Sequence, residues 1–563
     1  MRRSTAIAGL IFILAIGLPM APRADEAARL YEEARELVEQ AEALESASAS
    51  LPLLERARAN FDAIVQQHSG SATASRLVLG DPLERQLDTA LAAAREQAQS
   101  VAQSCLGQPT VECLFEVALV SARAIEDAGS RASTLRQIAE TQAEAGRIDA
   151  ALATARGIED ESWRMLALSR VAVVQAEAGQ IDDALAIARG IEGAGSRASA
   201  LRQIAEAQAE AGQIDDALAT ARGIEDESRG MRALVRIAEV QAEAGQIDAA
   251  LAIAGGIENI GARASALARI AEAQAEAGQI DDALAIAREI EDSGGHASAL
   301  AGISETQAGA GQIEAAAGTL DSALGIARGI EDAYDRVMVL NQIARAQARA
   351  EQIEAVADTF DAALSSASAI EDIGRRSVAL QMIVHAQVEA GQIDASLATV
   401  RRLSEQDRPH VLERIVMAQA RAKHLEAATE TFDAAFAIAH EIENVFSRSD
   451  TLMSIARAQA VAQAEAEQID AALATARGIE SALWRARALA SIVEVKAEAG
   501  QIEAALAIAG GIEDAVLHAW ALSHVAEAHI QAGQIDAALA IVGQIERASI
   551  AARVLSQIAV ALA

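Results

Sequence analysis

Residues 196–228 read SRASALRQIAEAQAEAGQIDDALATARGIEDES, and this stretch decides the fold. The turn at its centre, AG(Q/R)I(D/E), returns at Gly146, Gly179, Gly212, Gly245, Gly278 and Gly311, every 33 residues without slippage. It continues at less even spacing at Glu351, Gly391, Lys423, Glu467, Gly500 and Gly533. A fixed period of this size means one supersecondary unit stacked many times, because a single unit cannot bury its apolar face alone.

Within one unit the pattern is helical. Leu201, Ile204, Ala205 and Gln208 fall at i, i+3, i+4 and i+7, with the last of them polar. Gly212 tolerates the left-handed conformation that stops a helix. Ile214, Ala217, Leu218, Ala221 and Ile224 then form the stripe of a second helix. Each repeat is predicted to be an αα-hairpin, and the chain an all-α, right-handed solenoid. Composition agrees: hydrophobic residues make up 52% but aromatics only 2%, and there are six prolines, so Ala, Leu, Ile and Val must build the core.

Ile204, Ala205, Gly212, Ile214 and Ala217 resemble the tetratricopeptide repeat pattern: an apolar then a small residue in the first helix, Gly, an apolar residue two on, and Ala three further. The resemblance covers about 130–563, twelve hairpins and a final unpaired helix. It departs from that family in its 33-residue period, in Gln208, Ile214 and Ala221 at the large aromatic positions, and in lacking the terminal proline. The chain is similar to the family rather than a strict match, and other α-solenoid classes fit the same residues. The resemblance implies a superhelix whose first helices line a concave, partner-binding groove.

The formal charge is −34, which disfavours nucleic acid and anionic lipid surfaces as partners. Lysine occurs only at Lys423 and Lys496, so almost all positive charge is arginine. Arg2 and Arg3 precede an apolar run, Ala6–Met20, short for a membrane span, and residues 1–24 read as a secretory signal ending at Ala24. Pro22 is imperfect there, so an uncleaved membrane anchor is the other reading. Cys105 and Cys113 stand eight apart; in an exported chain they suit a local disulfide, with two buried thiols as the alternative. Residues 25–129 form a divergent helical capping region, and 130–563 the array.

The spacing breaks in the middle. Gly311 to Glu351 and Glu351 to Gly391 are each 40 residues, and Lys423 to Glu467 is 44. Seven extra residues add two turns to a second helix with little drift of its apolar face. Leu320, Phe360 and Phe432 mark the three lengthened helices, and the array is predicted to thicken over about 312–466.

No HExxH, GxSxG, CxxC or phosphate-binding glycine loop occurs, so neither an enzyme nor a cofactor nor a metal is expected. His518, His524 and His529 are spaced six and five apart, which suits no helical metal pair. A charge ladder is more informative. Glu140, Glu206, Glu239, Glu272 and Glu305 stand six residues before their turns, with Val173 in the second copy. Glu144, Glu177, Glu210, Glu243 and Glu276 stand two before. The two sets are i, i+4 and predict a continuous acidic stripe. In the irregular block these positions become Arg345 and Arg349, His385 and Glu389, then Met417 and Arg421, a basic island. These residues are the candidate contacts of a protein or peptide with basic segments. The expected function is an exported, periplasmic or secreted interaction scaffold. A structural spacer of the cell envelope, its charges merely solvated, is the alternative.

Overall fold

The computed structural model describes residues 21–42, 47–69, 71–421 and 425–563. Of the expected signal segment, 1–24, residues 1–20 therefore lie outside the described residues, and 21–24 begin the first helix. The chain divides into two compact units, one up to Arg131 and one from Ala132. Among the described residues there are thirty helices and no strand.

The first unit holds Ala21–Glu42, Ala47–Gln67, Ala72–Val78, Pro82–Gly107 and Val111–Arg123. Leu37, Leu54, Phe61, Ile64, Leu77 and Leu87 form its core. The short helix Ala72–Val78 stands between two long ones. Ser71 starts it, its hydroxyl accepting the Ala74 N–H at 3.0 Å. Asp81 ties three segments, accepting from the Tyr31 hydroxyl at 2.9 Å, Arg76 at 2.7 Å and the Leu83 N–H at 2.9 Å. Burial works against its charge, but these donors outweigh it and hold its pKa below the usual carboxylate value. Cys105 and Cys113 are disulfide-bonded, with Cα atoms 5.7 Å apart.

The second unit is a helical solenoid of twelve hairpins and a last helix, Ala548–Leu562. The hairpin Ala194–Glu210 with Ile214–Arg222 shows how each is made. Gly212 takes φ +77°. Its N–H donates to the Ala209 carbonyl at 2.9 Å, and the Gln213 N–H to the Gln208 carbonyl at 2.8 Å, which closes the last turn of the first helix. Gln208 is buried in that turn. In four other repeats the matching glutamine accepts from a threonine on the second helix, as Gln142 does from Thr154 at 2.7 Å. Ile204, Ala205, Ala217 and Ala221 are buried, whereas Leu201, Ile214 and Leu218 are only partly so. Ile224 lies beyond the second helix, in the turn that follows.

An arginine then staples one hairpin to the next. Arg197, in the first turn of its helix, reaches back to the Ile191 carbonyl at 2.8 Å. The same bond joins Arg164 to Ile158 at 3.1 Å, Arg263 to Ile257 at 3.1 Å, Arg376 to Ile370 at 3.0 Å and Arg485 to Ile479 at 2.9 Å.

First helices pack on first helices: Glu161–Glu177 on Ala194–Glu210, that on Glu227–Glu243, and so on along the unit. Each short second helix packs on its own first helix and on the next one. Second helices scarcely touch each other. Three are long, Ile313–Ala327, Ile353–Ser368 and Leu425–His440, and they bury Leu320, Phe360 and Phe432. Ile393–Val400, between the last two, keeps the short length, so the thickening is interrupted rather than continuous.

Candidate functional site

The two glutamate sets behave differently, and this corrects the continuous stripe. The inner set, six residues before each turn, is half-buried and paired with arginines. Glu140 meets Arg136 at 2.9 Å and Arg170 at 2.5 Å. Glu206 meets Arg202 at 2.5 Å. Glu239 meets Arg236 at 3.1 Å, and Glu272 meets Arg269 at 3.1 Å. Val173 is buried. Burial raises the Glu272 pKa, with Arg269 opposing. Gly302 of the following repeat makes room for it, since a Cβ there would lie 2.5 Å from its carboxylate.

The outer set, two residues before each turn, is exposed. Glu210 and Glu243 share Arg236, at 3.2 and 3.3 Å. Burial works against Arg236's charge, and its hydrogen bonds to Glu239 and Glu210 outweigh that and raise its pKa. Glu144, Glu177 and Glu276 meet no basic side chain within ion-pair distance among the described residues. Partial burial and the neighbouring Glu140 raise the Glu144 pKa, with Arg170 opposing. The stripe is thus an inner Glu/Arg ladder with an exposed acidic row beside it.

The basic island is also internally paired. Arg349 bonds Glu305 of the preceding repeat, and Arg345 meets Glu389 of the following one at 3.2 Å. His385 faces Glu389 at 3.2 Å. The side chain of Arg421 lies outside the described residues. Arg345, Arg349 and His385 stand on first helices, and the sequence reading missed their partners in neighbouring repeats. For Glu140, Glu206, Glu239 and Glu272 the signal was present, an arginine three or four residues earlier in the same helix, but for Glu305, met by Arg349 of the next repeat, it was not.

Clefts of about 660 and 1000 Å3 open between successive second helices, the first lined by Asp182, Asp183, Gln208 and Asp216. Among the described residues no group of three or more His, Cys, Asp or Glu is placed to hold a metal ion. His524 instead meets Glu527 at 3.4 Å and the Trp520 ring edge-on. No helix among the described residues is long and apolar enough to cross a membrane.

No protein-family model and no curated relative matches the chain. Among solved structures, Ton1535 from Thermococcus onnurineus NA1 is 18% identical, with TM-score 0.29, over 58% of this chain and 98% of that one. A circular tandem repeat protein with novel repeat topology and enhanced subunit contact surfaces is 14% identical, with TM-score 0.15, over 95% of this chain and 98% of that one. Likenesses this weak carry no argument. The helical repeat fold stands on the hairpins themselves.

Proposed function

We propose that this protein is an exported, non-enzymatic interaction scaffold of tetratricopeptide-like character that binds a partner on the face formed by its stacked first helices. The observation that carries this reading is the exposed outer row, Glu144, Glu177, Glu210, Glu243 and Glu276, repeated on successive first helices. A partner with spaced Lys or Arg residues would meet one carboxylate per repeat. Each exposed pair is worth only about 0–1 kcal/mol, so affinity would come from several repeats engaged together. The basic segment at residues 2–3, the apolar run after it and the Cys105–Cys113 bond support export to an oxidising compartment.

The inter-repeat pairing of the inner row, Arg170 with Glu140 and Arg349 with Glu305, favours a second reading, a structural spacer whose charges serve its own stacking. Affinity capture on purified protein separates the two. Changing Glu144, Glu210, Glu243 and Glu276 together to Gln should remove a salt-sensitive set of bound proteins while leaving the fold intact. Equal capture by the variant and the parent would leave the spacer.

A further inference from the structure

The layer of first helices opens at one seam. Arg408–Arg421 has 14 residues, against 17 in Ile373–Glu389 before it and 21 in Val445–Glu465 after it. Pro409 and the turns at 401–407 stand where its first turn would be. Its Glu413 is held by Ser454 and Arg457 of the following helix, and it packs closely there while touching the preceding helix at few points. The gap is a cavity of about 310 Å3 with Val384, Val388, Ile415 and Met417 in its lining and His385 and Arg414 at its edge.

The edge is charged opposite to the outer row. Glu389 is already met by Arg345 at 3.2 Å and by Nε2 of His385 at 3.2 Å. Arg414 donates to Nδ1 of His385 at 2.9 Å and meets no carboxylate within ion-pair distance among the described residues. The two ring nitrogens of His385 thus face Arg414 and Glu389. Arg414 therefore stands at the edge of an apolar gap beside Glu389, whose charge Arg345 already meets from outside the lining. The volume admits a large aliphatic side chain with room to spare, and the flexible thioether of Met417 can adjust to it.

We infer that this seam is a docking pocket for a partner peptide in which an aliphatic residue is flanked by Asp or Glu, the aliphatic side chain filling the gap and the carboxylate taking Arg414. The inference rests on the first-helix face being the binding face. It adds a point of opposite charge preference to that face, which would set the register of a bound partner.

A random-peptide phage library selected on the full protein at low salt tests it, with enriched peptides synthesised and titrated by fluorescence anisotropy. The expected consensus is aliphatic–acidic. Arg414→Glu, at an exposed position, should weaken these peptides about tenfold or more, and replacing the peptide's acid by Lys should restore binding. Met417→Glu should weaken them too; if that variant is misfolded by circular dichroism, Arg414→Glu alone decides. Absence of such a consensus, or affinities that Arg414→Glu leaves within about twofold, overturns the pocket. Peptides that ignore Arg414→Glu but are lost on Glu210→Lys would remove the seam and keep the wider face.

Discussion

A single backbone angle punctuates this chain, and two residues show it under stress. Nine repeat turns hold glycine at φ +69° to +81°, but Glu351 and Glu467 adopt φ 58° and 61° in the same role. A side chain there costs about 1 kcal/mol, because Cβ crowds the following carbonyl. The space around the equivalent Gly212 is open, so no packing change would obscure the effect. Glu351→Gly and Glu467→Gly should each stabilise their hairpin by about 1 kcal/mol, and Gly212→Ala should lose a similar amount, read by local hydrogen exchange in denaturant. Unchanged exchange in the glutamate variants would show that the loops already relax that strain. These turns were legible in the sequence even without glycine, because Gln-Ile follows both glutamates. The pairs within one helix, such as Arg202 with Glu206, were legible too, but the pairs between repeats, Arg170 with Glu140 and Arg349 with Glu305, were not, since only stacking brings them together.

At the scale of the element, most hairpins are joined to the next by a cap, a staple or both. Asp226 caps Glu227–Glu243 by accepting the Arg229 N–H at 2.8 Å, and that bond holds its pKa below the usual carboxylate value. A depressed pKa gives stability that is present above the unfolded carboxylate pKa, near 3.9, and is lost as pH falls through the folded value. Ile260–Glu276 is capped by Asn259, which does not titrate. Protection factors in the first turn of Glu227–Glu243 should therefore fall below about pH 4, while those of Ile260–Glu276 hold. Parallel loss in both would assign the acid response elsewhere. The staple went unseen although its signal, Ile with Arg six residues on, recurs from Ile125–Arg131 to Ile479–Arg485. Isolated helical pattern reading ends at the turn, and this bond crosses it. Arg197→Ala should cost about 1 kcal/mol, at the low end for a charged donor because the side chain is partly exposed. Chemical denaturation of the variant measures it, and no loss would make the contact incidental.

For the second unit as a whole, the question is how far a local defect spreads. Among the described residues, each first helix packs mainly on the first helices on either side, on its own second helix and on the second helix before it. Stability is then a sum of repeat and neighbour contributions, and unfolding need not be all-or-none. Ile204 is fully buried, and Ile204→Ala should cost about 2–5 kcal/mol. Exchange protection should fall in Ala194–Glu210 and, about equally, in Glu161–Glu177 and Glu227–Glu243, while Ala515–Gln531 keeps its own. The seam should make the same defect lopsided elsewhere. Ile383 is equally buried, but its helix, Ile373–Glu389, packs well on Ala333–Arg349 and poorly on Arg408–Arg421. Ile383→Ala should therefore lower protection strongly backward into Ala333–Arg349 and weakly forward into Arg408–Arg421. The spacing irregularities were visible in the sequence, but not that Pro409 would shorten one helix and open the layer, since that follows from which neighbour the shortened helix chooses. Symmetric spread from Ile383→Ala would mean that the connecting helix Ile393–Val400 carries the coupling across the seam, and that the gap is not a break in cooperativity.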